Sequence, residues 1–233
     1  MSGRERSIMV AGLISAVVCI SICILFGSAD GTPSSDRKAI ILISTTDPDI
    51  DEEGKAQSFY GYLLDEGYSE DDISFLGFEE TEGSDGTANI SNINQAFEDL
   101  IAFEDPLDEV IIYISDHEQG VLGNSSFVFI DGSITADTIS LWMDSIDYTE
   151  ATMILNGNRS GLAGPELQDP DRVVISSMDW DQTSDQDLFN ITRGLTDQTA
   201  DINFDGVVSY YEAYMKECFT LRFEDQNPQY YFE

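Results

Sequence analysis

Basic residues are scarce in this chain. Ten Lys and Arg residues stand against 45 Asp and Glu residues over 233 positions, and the formal net charge is −35. Such a surface repels phosphate groups, which argues against nucleic-acid binding and against docking on anionic lipid through basic patches. The excess of acid is typical of a solvated coat suited to high salt or a cell exterior, or of a protein that binds divalent cations.

Histidine and cysteine are also rare. The one histidine, His117, excludes a zinc or copper site built from several histidines. Of the three cysteines, Cys19 and Cys23 lie in an apolar stretch, so Cys218 alone belongs to the folded part and no disulfide framework is expected. The chain does contain 42% hydrophobic and 11% aromatic residues, which is enough for one domain with a sizeable core.

The N-terminal stretch predicts a membrane anchor. No residue from Ser7 to Ala29 is charged, and this length can cross a bilayer as a helix. Because Arg4 and Arg6 precede the stretch, we expect a single span over 1–29 with its N-terminus in the cytoplasm and the domain outside the cell. The alternative is a signal peptide cleaved after Ala29, which would leave a secreted protein. Residues 30–37 are predicted to form a linker.

Residues 38–233 predict an α/β sandwich with a mainly parallel sheet, because buried strands alternate with helices. Apolar runs predict strands at Lys38–Thr45, Ile73–Phe78, Glu109–Ser115, Phe127–Ile130, Ala151–Leu155 and Arg172–Ser176. Helical spacing predicts helices at Asp51–Glu66 (closed by Gly67), Ser91–Phe103, Thr135–Ser145, near Asp185–Arg193, and from the end of an acidic loop to about Leu221. Chemistry in such folds collects at the carboxyl ends of the strands, here Thr45–Asp49, Ser115–Gly120 and Asn156–Gly161.

The segment from Asp201 to Glu212 predicts a calcium site of the EF-hand type. It fits the pattern D-x-[DN]-x-[DN]-G-x5-E at every position. Oxygen ligands are expected at six positions: Asp201, Asn203, Asp205, Val207, Ser209 and Glu212. Val207 would use its carbonyl oxygen, and Ser209 stands where a ligand often acts through a water molecule. Gly206 allows the sharp bend between them. The alternative is an acidic loop in which Ser209 caps the following helix without any metal.

Two strand ends resemble a known family of peptidases. Glu109–Gly120 reads EVIIYISDHEQG and Ala151–Gly161 reads ATMILNGNRSG. An apolar strand that ends in D-H-G, followed by one that ends in x-A-C-x-S-G, is similar to the caspase-like cysteine peptidases. The legumain-type family C13, which includes the GPI-anchor transamidase subunit, is the most similar branch. The resemblance implies a caspase-like three-layer sandwich over residues 38–218 or so, with His117 as the catalytic base or acid.

The resemblance also shows which catalytic groups have been replaced. In that family a Cys thiolate attacks the carbonyl, and the Gly after the His helps to form an oxyanion pocket. Here Asn158 stands at the position of the nucleophile and Glu118 at that of the Gly. Because a carboxamide is no nucleophile, we expect a pseudopeptidase that binds calcium together with a peptide or a cell-surface partner.

The sequence leaves two alternatives open. One is an active hydrolase in which Ser160 acts as the nucleophile with His117. The other is a structural surface protein that depends on calcium for assembly.

Overall fold

The computed structural model of the protein describes residues 36–44, 52–79, 83–116, 118–184 and 187–232. The expected anchor, most of the linker and His117 lie outside these ranges. Within them, no helix is both long and apolar enough to cross a membrane. The described part from residue 36 onward belongs to one compact unit.

The described residues alternate strands with helices along the chain. The strands are β1 (Arg37–Ile43), β2 (Ile73–Gly77), β3 (Gly86–Thr87), β4 (Leu107–Ser115), β5 (Gln119–Val121), β6 (Asn124–Phe129), β7 (Gly132–Thr135), β8 (Tyr148–Asn156), β9 (Arg172–Ser176) and β10 (Gln229–Tyr231). The helices are α1 (Glu52–Asp65), α2 (Ile90–Ile101), α3 (Ala136–Met143), α4 (Gly164–Leu167), α5 (Ile191–Thr196) and α6 (Tyr210–Leu221).

Seven strands form the central sheet in the order β10-β9-β8-β4-β1-β2-β3. Every neighbouring pair is parallel except β10 with β9, which is antiparallel. Ile41 in β1 lies in register with Phe75 of β2 on one side and Tyr113 of β4 on the other. The expected α/β fold with a mainly parallel sheet is therefore confirmed.

Helices cover both faces of this sheet. Alternate side chains of β1 point to opposite faces: Ile40 packs in the cluster that includes Phe97 of α2, and Ile41 packs in the cluster that includes Phe59 of α1. Helices α2, α3 and α4 contribute to the first cluster, and α1, α5 and α6 contribute to the second. Strands with no solvent-facing side need apolar residues at every position, which explains their continuous apolar runs.

Three local predictions need correction. The extra strand expected at Phe127–Ile130 is β6, and it belongs to a separate antiparallel sheet in the order β5-β6-β7. The helix expected near Asp185–Arg193 begins only at Ile191, because Asn190 caps it by accepting a hydrogen bond from the backbone N–H of Arg193. Arg37, assigned to the linker, is the first residue of β1.

Candidate functional site

The ends of β4 and β8 lie side by side in the central sheet. The backbone N–H of Asp116 donates to the carbonyl oxygen of Asn156 at 2.9 Å. Gly157 follows with φ +128°, and a Cβ atom there would lie 2.0 Å from the carbonyl oxygen of Asp116. Only glycine permits this close approach, so the two candidate segments are held against each other by backbone geometry.

Asp116 ties three elements together at this edge of the sheet. Its side chain is buried and accepts a hydrogen bond from the hydroxyl group of Ser44 at 2.5 Å. The other carboxylate oxygen accepts a hydrogen bond from the backbone N–H of Val128 in β6. Asp116 therefore connects the ends of β1 and β4 to the small sheet. The neighbouring His117 lies outside the described residues.

Glu118 carries a buried carboxyl group close to the same strand ends. Its Oε2 atom accepts a hydrogen bond from the backbone N–H of Ala163 at 3.0 Å. The other oxygen is buried and has no hydrogen-bond partner in the part of the chain that the structure describes. Burial raises the pKa of Glu118 well above its usual value; the Ala163 N–H opposes the shift, and the negative charges of Asp116 and Glu166 add to it.

Asn158 and Ser160, the two candidate positions for a nucleophile, both make structural hydrogen bonds. The Oδ1 atom of Asn158 accepts a hydrogen bond from the backbone N–H of Ser184 at 2.7 Å. The Ser160 side chain is buried; its Oγ accepts from the backbone N–H of Met178 at 3.0 Å and lies 3.3 Å from the Oγ of Ser177. A nucleophilic Ser160 would have to leave these partners.

The sequence patterns do not predict a second group of polar residues that meets at this edge. Glu52, at the start of α1, accepts hydrogen bonds from the Ser115 hydroxyl group and from Nδ2 of Asn156, the latter at 2.6 Å. Lys55 Nζ lies 3.8 Å from Oε1 of Glu52 and 3.7 Å from Oδ2 of Asp187. Lys55 also donates to the backbone oxygen of Asp187 at 2.6 Å. These contacts join α1 to the ends of β4 and β8.

The charges in this second group depend on one another because they are buried. Burial raises the pKa of Glu52, Lys55 opposes that shift, and Asp187 adds to it. Asp187 is further held by the hydroxyl group of Ser177 at 2.8 Å and by Nε2 of Gln226 at 2.5 Å. A signal in the sequence was the rarity of lysine: Lys55 is one of three, and it lies one helical turn after Glu52.

The predicted calcium loop folds as one tight turn. Oδ1 of Asp201 accepts from the backbone N–H of Asp205 at 3.2 Å, and Oδ2 accepts from Gly206 at 3.0 Å. Oδ1 of Asn203 accepts from the N–H of Asp205 at 2.8 Å. Gly206 adopts φ +93°, as the sharp bend requires. Oδ1 of Asp205 accepts from the backbone N–H of Val207 at 2.9 Å, so three of the expected ligand side chains take part in the same turn.

Glu212 closes the loop from its far end. Its Oε1 atom accepts hydrogen bonds from the N–H groups of Ile202 at 3.0 Å and Asn203 at 3.2 Å. Its Oε2 atom accepts hydrogen bonds from the N–H group of Ser209 at 3.0 Å and from its hydroxyl group at 2.9 Å. These hydrogen bonds lower the pKa of Glu212, with the Ser209 N–H as the largest cause. Ser209 also caps α6.

The chemistry of this loop fits a hard cation. The expected donors are all oxygen atoms, the type that Ca²⁺ prefers, and they come from one turn and its closing carboxylate. In the described ranges, no group of three or more His, Cys, Asp or Glu side chains is arranged so as to hold a metal ion. The predicted ligand set would also need oxygens from Asn203, Val207 and Ser209.

Comparison with known proteins adds information on the fold. No family model and no curated protein matches this chain in sequence. In structure, 107 solved chains match. One is the crystal structure of protein GSU0716 from Geobacter sulfurreducens, a Northeast Structural Genomics target, with a TM-score of 0.53 and 14% identity over 84% of this chain and 92% of that one. At this identity the similarity shows a shared α/β fold, and function must be argued from the site.

Proposed function

We propose that the chain is a membrane-anchored, extracytoplasmic relative of the C13 peptidases that binds calcium and a peptide or surface partner and does not cleave peptides. The proposal rests on the position and the hydrogen bonding of Asn158. It stands where the resembling family has its nucleophile, and its side-chain oxygen accepts a hydrogen bond from the backbone of Ser184 at 2.7 Å. Covalent attack on a peptide needs an activated thiol or hydroxyl group, which an amide does not supply.

The environment of Glu118 supports the loss of catalysis. In the resembling family a glycine at this position contributes to a pocket of N–H groups that stabilises a developing oxyanion. Here the carboxyl group of Glu118 is buried and itself accepts the N–H of Ala163. An acidic side chain thus takes up a backbone donor close to the expected reaction centre, and in its ionised form it would oppose negative charge on a substrate.

The buried hydroxyl group of Ser160 weighs against the alternative hydrolase. Ser160 is 1% exposed, so a substrate carbonyl cannot reach its Oγ atom without movement of the surrounding backbone. The backbone N–H of Met178 already donates to that atom.

A cleavage assay tests the catalytic part of the proposal. Peptides with Asn or Asp at the scissile position, the preference implied by the resemblance, should remain intact with the unmodified protein and with His117→Ala alike. Asn158→Cys, alone and together with Glu118→Gly, supplies the missing groups, and cleavage regained by the double variant would support descent from a peptidase. Hydrolysis by the unmodified protein that disappears in His117→Ala and in Ser160→Ala would overturn the proposal.

A binding measurement tests the partner role at the same edge. Immobilised Asn- or Asp-containing peptides should retain the unmodified protein, and Asn158→Asp should change that retention because it places a charge beside the strand ends. Gln198→Glu, which adds the same charge at an exposed position away from these strand ends, is the matched control and should leave retention unchanged. Equal retention of both variants would place the binding surface elsewhere.

The anchor is tested by locating the protein and its N-terminus. We expect the chain in the membrane fraction, with the domain accessible to protease from outside intact cells. A soluble product that begins at Asp30 would establish the cleaved signal peptide instead.

A further inference from the structure

A cavity of about 440 Å³ lies at the other edge of the central sheet, where the strands begin. Arg37 of β1 is in register with Glu109 of β4, and Glu109 is in register with Glu150 of β8. All three residues line the cavity. Its size is in the range of small-molecule sites, and it is separate from the strand ends that carry Asp116 and Asn158.

Tyrosine rings form much of the wall of this cavity. Five tyrosines from α1, its C-terminal turn, α6 and β10 line it: Tyr62, Tyr68, Tyr210, Tyr211 and Tyr230. The rings of Tyr211 and Tyr230 meet edge to face with centroids 5.3 Å apart. The faces of such rings carry a negative electrostatic potential that attracts cations. The wall thus combines apolar contact area with an attraction for positive charge.

The charged residues that line the cavity also favour a cation, because carboxyl groups outnumber basic groups. Three carboxyl groups, those of Glu66, Glu109 and Glu150, line it against one guanidinium group, that of Arg37. Glu109 accepts a hydrogen bond from the hydroxyl group of Tyr68 at 2.6 Å, so this carboxylate is positioned by an aromatic neighbour. These carboxylates would repel an anionic ligand and attract a cation.

The protein's own Arg37 shows how a cation sits against this wall. Its guanidinium carbon lies 4.4 Å from the centroid of the Tyr68 ring. Its Nη2 atom donates to the backbone oxygen of Glu66 at 3.0 Å, while its buried Nε atom has no hydrogen-bond partner in the described part of the chain. Besides Tyr68, four more tyrosines and the carboxyl groups of Glu109 and Glu150 line the cavity.

We propose that this cavity is a binding site for a small organic cation of the substituted-ammonium class. Tyrosine faces would contact the alkyl groups on the nitrogen, and Glu109 and Glu150 would balance its charge. A cation that carries alkyl groups gains from the rings as well as from the carboxylates, which distinguishes it from a bare metal ion. The calcium loop contributes Val207, Val208 and Ser209 to the wall, but the proposed site uses none of the loop carboxylates.

Choline and 3,3-dimethyl-1-butanol provide the test, because they have the same shape and differ in charge. Titration calorimetry on the full chain, in a maltoside detergent without choline head groups, should give binding for choline and none for the neutral isostere. Tyr211→Ala removes a ring that is 46% exposed, so the fold should be kept, and choline affinity should fall about two- to five-fold. Glu150→Gln, an exposed carboxylate that lines the cavity, should also weaken it several-fold.

Glu98→Gln removes one exposed carboxylate from α2, away from the cavity, and is the matched control that should leave the affinity unchanged. This control separates a local contribution of Glu150 from the general effect of net charge. Absence of choline binding at millimolar concentration, equal binding of choline and its isostere, or unchanged affinity in both cavity variants would each overturn the proposal.

Discussion

The buried carboxyl group of Glu118 accepts a hydrogen bond of 3.0 Å from the backbone N–H of Ala163, the residue that precedes α4. One oxygen is satisfied by this contact, and the other has no partner in the described ranges. Glu118 therefore fixes the chain after β8 to the segment after β4. Under the proposed relation to the C13 peptidases, a glycine would be expected at this position.

Glu118→Gln should reduce the dependence of stability on pH. Burial raises the pKa of Glu118 well above 4.5 in the folded chain, so the folded chain binds more protons than the unfolded chain above that pH. Stability must then fall as pH rises from about 4.5 towards the folded pKa, by up to about 1.4 kcal/mol per pH unit for one group. Glutamine keeps an acceptor for Ala163 and does not titrate.

Urea unfolding at several pH values between 5 and 8 measures this effect. The slope should be smaller for Glu118→Gln, although Glu52, whose pKa is also raised, keeps part of it in both proteins. Parallel curves for the two proteins would show that Glu118 does not titrate differently in the folded chain.

Gly157→Ala should destabilise the fold by about 3 kcal/mol or more, because both the backbone conformation and the packing oppose a side chain. Its φ is +128°, and the new Cβ atom would collide with the carbonyl oxygen of Asp116. Gly61→Ala is the matched control: Gly61 lies inside α1 with open space around it, so alanine there should stabilise by roughly 0.5–1 kcal/mol. Equilibrium unfolding of both variants should therefore give changes of opposite sign.

Lys55→Met should destabilise the fold by roughly 3–5 kcal/mol. The change removes the cation that lies between the buried carboxylates of Glu52 and Asp187. Adding Glu52→Gln to Lys55→Met removes one of these charges and should recover part of the loss, as measured by a double-mutant cycle. Lys216→Met, which removes the partly exposed partner of Asp197, should have little effect. A small effect of Lys55→Met would mean that water reaches the buried pair.

Calcium should raise the melting temperature of the unmodified protein. Binding to the folded state alone adds about 2.7 kcal/mol when free Ca²⁺ is 100 times Kd. Glu212→Gln should reduce this rise most, since it weakens the carboxylate that closes the loop, whereas Glu98→Gln should keep it. If Tm is the same in chelator and in excess Ca²⁺, Asp201–Glu212 is an acidic loop with a helix cap at Ser209 and no metal site.

The sequence is sufficient to locate, along the chain, the strands that are buried on both faces. The apolar run predicts Arg172–Ser176 with the bounds that the structure gives, and Gly67 ends the turn after α1 with φ +90°. These predictions succeed because a fully buried strand needs an unbroken apolar run, and because a left-handed helix end favours glycine. Both signals are local, so no knowledge of distant residues is needed to recognise them.

Tertiary structure decided which distant side chains meet. The contact between Lys55 and Asp187 joins residues 132 positions apart, and neither residue has a local motif. The tyrosine-lined cavity likewise needs residues from α1, β4, α6 and β10. Strand β10 is three residues long, too short for a periodic pattern, and its antiparallel pairing with β9 depends on neighbours that only the folded chain supplies. The contact between Lys55 and Asp187 and the tyrosine-lined cavity therefore both result from long-range packing and not from local preference.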